Sequence, residues 1–227
     1  MEAEGLYAAS VTAFSHIVSL GYRCRTTQRL REHFGFKTAF PFDWWITPLA
    51  GGARFLRDWD ADRLYDPGQL REARRWGRTA FIEHTGYRLR LQHEFPMDLK
   101  REHVLAGWRS HIDEARSRTA HLMQKFDLLD RPDRKVLFVR ELMAEEQADQ
   151  TGIAALRQAL LLRTPRAQTS FLLISPAGVE APGWRALKVD DPVREPWTGT
   201  PALWDGPLAS LGCRFERRPG WGEAQTA

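Results

Sequence analysis

Lys135–Val139 reads KVLFV and Ser170–Ile174 reads SFLLI, two short apolar runs separated by an amphipathic stretch over Thr151–Leu162. Runs of this kind suit strands buried on both faces, and a helix between two of them makes a parallel crossover unit. A parallel sheet needs helices on both faces to cover it. This stretch therefore predicts an α/β chain, a single three-layer domain with a mostly parallel central sheet flanked by helices.

The same logic extends outward. His16–Leu20, HIVSL, is apolar and β-branched and stops at Gly21, which suits another buried strand. From Cys24 to Phe34 the apolar pair Leu30 and Phe34 lies among charged residues, and Gly35 supplies a helix stop. The order is strand, tight turn, helix. Between these ends the reading is less regular. Ala39–Ile46, AFPFDWWI, is aromatic and turn-like, and Thr47-Pro48 is a helix-start signal. Asp66-Pro67 repeats that signal and predicts a helix of about ten residues. Tyr87, Leu89 and Leu91 alternate with Arg88, Arg90 and Gln92 as in a half-buried strand that runs into His93-Glu94-Phe95-Pro96. Asp98 then caps a predicted long helix carrying Val104, Trp108, Ile112, Ala115, Leu122, Phe126 and Leu129 at helical spacing. Beyond Ser175, Trp184–Val189 adds one short strand, and the tail around Arg214–Arg218 carries no assignable pattern. Residues 1–13 read as a weakly ordered lead-in and 14–227 as one domain, with no repeat and no linker.

With 227 residues, 43% apolar and 27% charged, the composition is that of an ordinary globular chain. The net charge of +4 comes from scattered arginines such as Arg71, Arg74, Arg75 and Arg78. That spread suits solvated helix faces, so no nucleic-acid partner is expected, while an anionic ligand stays open. Glu2 and Glu4 do not open a signal peptide, and no apolar run approaches the roughly 18–20 residues of a membrane span. The two cysteines, Cys24 and Cys213, form neither a disulfide framework nor a zinc spacing. The expectation is a cytoplasmic protein without membrane, metal or cofactor.

The chemistry gathers around Ser19-Leu20-Gly21-Tyr22-Arg23-Cys24. A thiol at a helix N-terminus, at the carboxyl end of a strand, meets unpaired backbone N–H groups, the positive end of the helix dipole and the flanking Arg23 and Arg25. All three favour the thiolate. The alternative role for Cys24 is a small packing residue in the first helix turn. A nucleophilic thiol needs a base, and among seven histidines His93 stands out at a strand end. Asp43, set between aromatics in Phe40-Pro41-Phe42-Asp43-Trp44-Trp45, must be paired. It caps a turn, holds Arg23 or Arg140, or orients His93 as a triad acid does. Glu94, adjacent to His93, points the other way and is the weaker candidate.

The strings VSLGYRC, FPFDWW, LQHEFP and KVLFVR, in this order over roughly residues 16–140, resemble a bacterial family of papain-like cysteine peptidases, a domain of unknown function. The resemblance implies a cysteine-dependent hydrolase with Cys24 as nucleophile, His93 as general base and Asp43 as third member. Arg140, at the carboxyl end of its strand, is an anion-binding candidate, and Gly21, Arg23 and Trp44 join it as substrate-binding candidates. It also implies a papain-like α+β arrangement as the alternative to the parallel sheet. The position after His93 is Glu94 where the family tends to have Asp.

The leading function is thus hydrolysis or acyl transfer at a peptide, amide or small anionic substrate. A transferase or binding domain holding a nucleotide or sugar phosphate at the Gly21 turn, aided by Arg23 and Arg140, is the alternative. A non-catalytic interaction domain is the third.

Overall fold

The computed structural model describes residues 12–91, 93–192 and 198–216. Four strands form the parallel sheet that the sequence predicts: β2 (His16–Ser19), β6 (Lys135–Glu141), β7 (Gln168–Ser175) and β8 (Arg185–Lys188), in the order β2-β6-β7-β8. The helix between β6 and β7 is α5 (Gln150–Arg163). Successive residues of β6 divide the core. Val136 and Phe138 join Val18, Phe171 and Leu173 on one face, while Leu137 and Val139 join Ile17, Leu172 and Ile174 on the other. This period-two division explains why the strands read as unbroken apolar runs.

Helices cover both faces. The first packs against α2 (Leu49–Asp58), α4 (Ile112–Asp127) and α5 through Leu56, Phe126 and Leu156. The second packs against α1 (Cys24–Phe34) and α6 (Pro201–Ala209) through Leu30, Trp204 and Leu208. The chain is therefore a three-layer α/β protein. Helix α1 ends at Gly35, whose φ of +70° places it in the left-handed region that glycine adopts without strain. Among the described residues no helix is long and apolar enough to cross a membrane.

The middle of the chain departs from expectation. The helix predicted after Asp66-Pro67 is absent, and strand β3 (Leu70–Arg75) stands there instead. It forms an antiparallel sheet with β4 (Arg78–His84) and β5 (Arg90–Leu91), in the order β3-β4-β5. Asp66 does not cap a helix; its Oδ1 accepts from the Gly68 N–H at 2.9 Å and closes a turn. The strand expected over Tyr87–Gln92 shrinks to Arg90–Leu91, with Gln92 outside the described residues. The long helix expected from Asp98 starts only at Ile112, after a short 3-10 turn over Trp108–His111. Asp98 instead holds the N–H groups of Glu102 and His103 in a loop, and Gly107 at φ +79° interrupts any helix there.

Of the expected lead-in, residues 1–11 lie outside the described residues, whereas Thr12–Phe14 forms β1, paired in parallel with β9 (Cys213–Phe215). Part of the tail left unassigned in sequence is thus a strand, and 217–218 lie outside the described residues.

Candidate functional site

The four sequence strings meet at the carboxyl end of the parallel sheet. Strand β2 ends at Ser19 and α1 starts at Cys24, so the thiol sits in the first turn of α1. The intervening turn is tight because Gly21 lies against Thr47: a Cβ there would come within 3.2 Å of the Thr47 side chain, and its φ is +77°. Arg23 precedes the helix with its guanidinium 4.5 Å from the Tyr22 ring centroid.

The environment of the thiol reverses one expectation. Burial, the largest influence, pushes the Cys24 thiol above its usual pKa. The backbone N–H groups of Cys24 and Arg25 and the Arg23 cation oppose it, and the Glu141 carboxylate adds to it. Helix-end stabilisation is present here, but desolvation outweighs it. The resting group is a thiol.

Beneath Cys24 lies an ion pair that the sequence reading did not single out. Buried Arg25 donates from Nε to Glu141 Oε1 at 3.0 Å, and its Nη2 meets the same oxygen. Thr26 Oγ1 donates to Glu141 Oε2 at 2.5 Å, and Arg25 Nη1 donates to the Asp191 carbonyl at 3.1 Å. Asp191 in turn accepts from Trp204 Nε1 at 2.8 Å, tying α6 to the first turn of α1. The available signal was Glu141 itself, a carboxylate directly after an apolar strand.

Arg140, expected to bind an anion, is fully buried on the opposite face of the sheet. It donates to the carbonyls of Leu20 at 3.0 Å and Thr47 at 2.6 Å, and to Glu146 Oε2 at 2.6 Å. Glu146 also accepts from the Leu49 and Met143 N–H groups. Arg140 is a strut that joins the end of β2 to the start of α2, so it is not presented to a substrate. The phosphate reading loses that cation.

Pro41–Trp44, the PFDW string, forms a 3-10 turn. Asp43 caps it: Oδ2 accepts from the Phe40 N–H at 3.0 Å and from Arg31 Nη2 at 2.7 Å. Thr27 of α1 donates to the Asp43 carbonyl at 3.1 Å, so α1 and this turn are locked together. Turn-capping was among the roles read for Asp43; its cation is Arg31 rather than Arg23 or Arg140. Burial raises its carboxyl to about 6 despite Arg31.

The next three residues connect to the His93 segment. Ile46 forms a backbone bridge with Arg90 of β5, with N···O distances of 3.1 and 3.0 Å. Trp45 Nε1 donates to Glu94 Oε1 at 2.8 Å. Trp44 meets the His93 ring edge-on, centroids 6.0 Å apart. His93 thus follows a strand of the antiparallel sheet rather than one of the parallel sheet. Its neighbour is the Trp44 ring, whereas Asp43 is engaged elsewhere. Desolvation, and then the Arg101 cation, hold the imidazole below its usual pKa. Arg31 also lies over the Trp44 ring, 5.3 Å from its centroid.

Helix α1, whose first turn carries the thiol, is tied through Thr27 to the aromatic turn, and that turn meets the His93 ring through Trp44. A model of the putative papain-like cysteine peptidase family matches residues 15–176, more than two thirds of the chain, and that span contains all four strings. No curated protein and no solved structure matches the chain. On that match the chain belongs to the putative papain-like cysteine peptidase family, a domain of unknown function.

Proposed function

We propose that this protein is a cysteine-dependent acyl hydrolase acting on a peptide or amide bond, with Cys24 as its nucleophile and His93 as its general base. The observation that carries the reading is the Cys24 thiol in the first turn of α1, with the backbone N–H groups of Cys24 and Arg25 bearing on the sulfur. Those donors stabilise negative charge on sulfur as it attacks and on the carbonyl oxygen as the tetrahedral intermediate forms.

Raised Cys24 and lowered His93 keep both groups neutral near pH 7. The reaction then runs by general-base catalysis rather than from a preformed thiolate–imidazolium pair. Cys24 Sγ bonds to the carbonyl carbon while its proton passes to His93. His93 returns that proton to the leaving nitrogen as the C–N bond breaks, leaving a thioester. Water, deprotonated by His93, cleaves the thioester, and the proton returns to sulfur. Arg23 and Trp44 flank the substrate. Asp43 acts through the turn it caps, as a positioning residue for Trp44 and thereby for His93.

The test is intact-mass detection of an acyl adduct with a panel of peptidyl thioesters. The expected adduct maps to Cys24, is absent in Cys24→Ala, and forms more slowly in acid, once the pH falls through the lowered pKa of His93. Free-enzyme alkylation of Cys24 should rise only above about pH 8.5. Acylation that survives Cys24→Ala, or that His93→Ala leaves untouched, overturns the assignment.

A further inference from the structure

At the amino end of the parallel sheet, away from Cys24, lies a cavity of about 470 Å³. Its walls include Thr169–Leu172 of β7, Leu137 of β6 and Arg185, the first residue of β8. Leu137 pairs with Ser170, and Glu141 with Ile174. Four residues of strand, roughly 13 Å at 3.3 Å each, therefore separate this cavity from the ion pair under the thiol.

The lining is unbalanced in charge. It carries two guanidinium groups, Arg157 and Arg185, and among the described residues that line it there is no carboxylate. Arg185 donates to the Leu211 carbonyl at 2.8 Å. Arg157, half-buried on α5, lies over the Phe171 ring with its guanidinium carbon 5.1 Å from the centroid. Its Nε is buried without an acceptor, and among the described residues no carboxylate pairs with it. Gly183 makes room for this pose, since a Cβ there would collide with the Arg157 guanidinium. Phe14, Phe171, Trp184 and Leu211 supply apolar surface around the cation.

A guanidinium with no carboxylate partner, in a cavity of this volume that sets apolar surface beside polar, selects a ligand with one anionic head and an apolar body. We propose that this cavity is a second ligand site, for small amphipathic carboxylates: the head accepts hydrogen bonds from Arg157, and the chain or ring lies along Phe14, Phe171 and Trp184. The site is separate from the acyl-transfer chemistry and does not depend on it.

Cys213 also lines the cavity and reports on it. In a Cys24→Ala protein Cys213 is the sole thiol, because the chain has two cysteines. Octanoate and phenylacetate should raise the melting temperature of this protein and slow maleimide labelling of Cys213; octanamide should do neither. Arg157→Gln should weaken the octanoate effect about tenfold, the loss of a charge-assisted contact. Should Arg157→Gln not fold, Arg157→Lys takes its place, keeping the charge but not the planar fork, and several-fold weakening is expected. Equal protection by octanamide, unchanged affinity in a folded Arg157 variant, or no protection by either acid overturns the proposal.

Discussion

The carboxyl end of the parallel sheet and the neighbouring antiparallel sheet are both rich in arginine and glutamate, and they use them in opposite ways. At the end of β6, consecutive residues point to opposite faces, and each finds a buried ion partner: Arg140 with Glu146, Glu141 with Arg25. In the antiparallel sheet Arg74 pairs with Glu72 near the surface, and the buried carboxylate of Glu83 is met by Arg71, Arg88 and Arg90, which all keep much of their side chains in solvent. The residue types match while the dielectric does not. A buried pair costs desolvation that only its partner offsets, whereas an exposed pair exchanges one set of water contacts for another. The difference teaches that the first region is held by specific pairings and the second by its apolar side, Leu70, Ile82 and Leu91.

The largest effect expected is at Arg140. Arg140→Met leaves Glu146 charged, buried and without its cation, while the carbonyls of Leu20 and Thr47 lose a donor. Urea unfolding should show a loss of about 3–5 kcal/mol. A loss below about 1 kcal/mol would mean that the two sheets do not differ in the way described.

Asp43 gives the next effect, and it depends on pH. Its folded value of about 6 lies above the ordinary 3.8, so the folded protein keeps a proton that the unfolded chain has released. The resulting stability is complete below about pH 4 and is lost as the pH rises through about 6. Asp43→Asn cannot titrate. Wild type should therefore lose stability relative to this variant between pH 4 and 7, by about 3 kcal/mol in total. A flat difference would show that the Arg31 pair, not burial, governs this carboxylate.

The contrast between the regions also explains what the sequence disclosed. Strands β2, β6 and β7 are buried on both faces, and their apolar runs announce themselves. Strand β3 reads LREARR, with Leu70 its fully buried residue and the others mostly exposed; nothing in that string distinguishes it from a solvated helix. The hairpin signal was the two-residue turn Trp76-Gly77, both at positive φ, hidden by a bulky residue where Asn or Asp would be expected. Gly107 was the visible objection to a helix starting at Asp98. The strings around Cys24, Asp43 and His93 lie on segments joined in series, α1 to the Asp43 turn through Thr27 and that turn to the His93 segment through Trp44 and Trp45. The ion partners were illegible: Arg25 lies 116 residues from Glu141, and no local pattern encodes such a pairing.

Glu141→Gln probes the other face of β6. Gln keeps one oxygen to accept from Arg25 and turns an NH2 donor toward the Thr26 hydroxyl, and the Asp191 carboxylate still lies 3.9 Å from Arg25, so the expected cost is about 2 kcal/mol. The more telling readout is at Cys24. Glu141 contributes to the raised thiol pKa, so its neutralisation should shift the alkylation profile to lower pH. An upward shift, or none, would mean that the first turn of α1 had moved, and that Glu141 holds the helix end in place as well as charging it.

The smallest effect should be at Arg74. Its partner Glu72 also accepts from Thr79 at 2.9 Å and from Trp108 Nε1 at 3.0 Å, so the carboxylate stays satisfied when the arginine is removed. The guanidinium is solvated in the folded protein as it is in the unfolded chain, and little interaction is lost on truncation. Arg74→Ala should change unfolding stability by no more than about 0.5 kcal/mol, and added salt should erase even that. A loss of 2 kcal/mol or more would place Arg74 with Arg25 and Arg140 instead, and the antiparallel sheet would then have to be counted among the parts of this molecule held by charge.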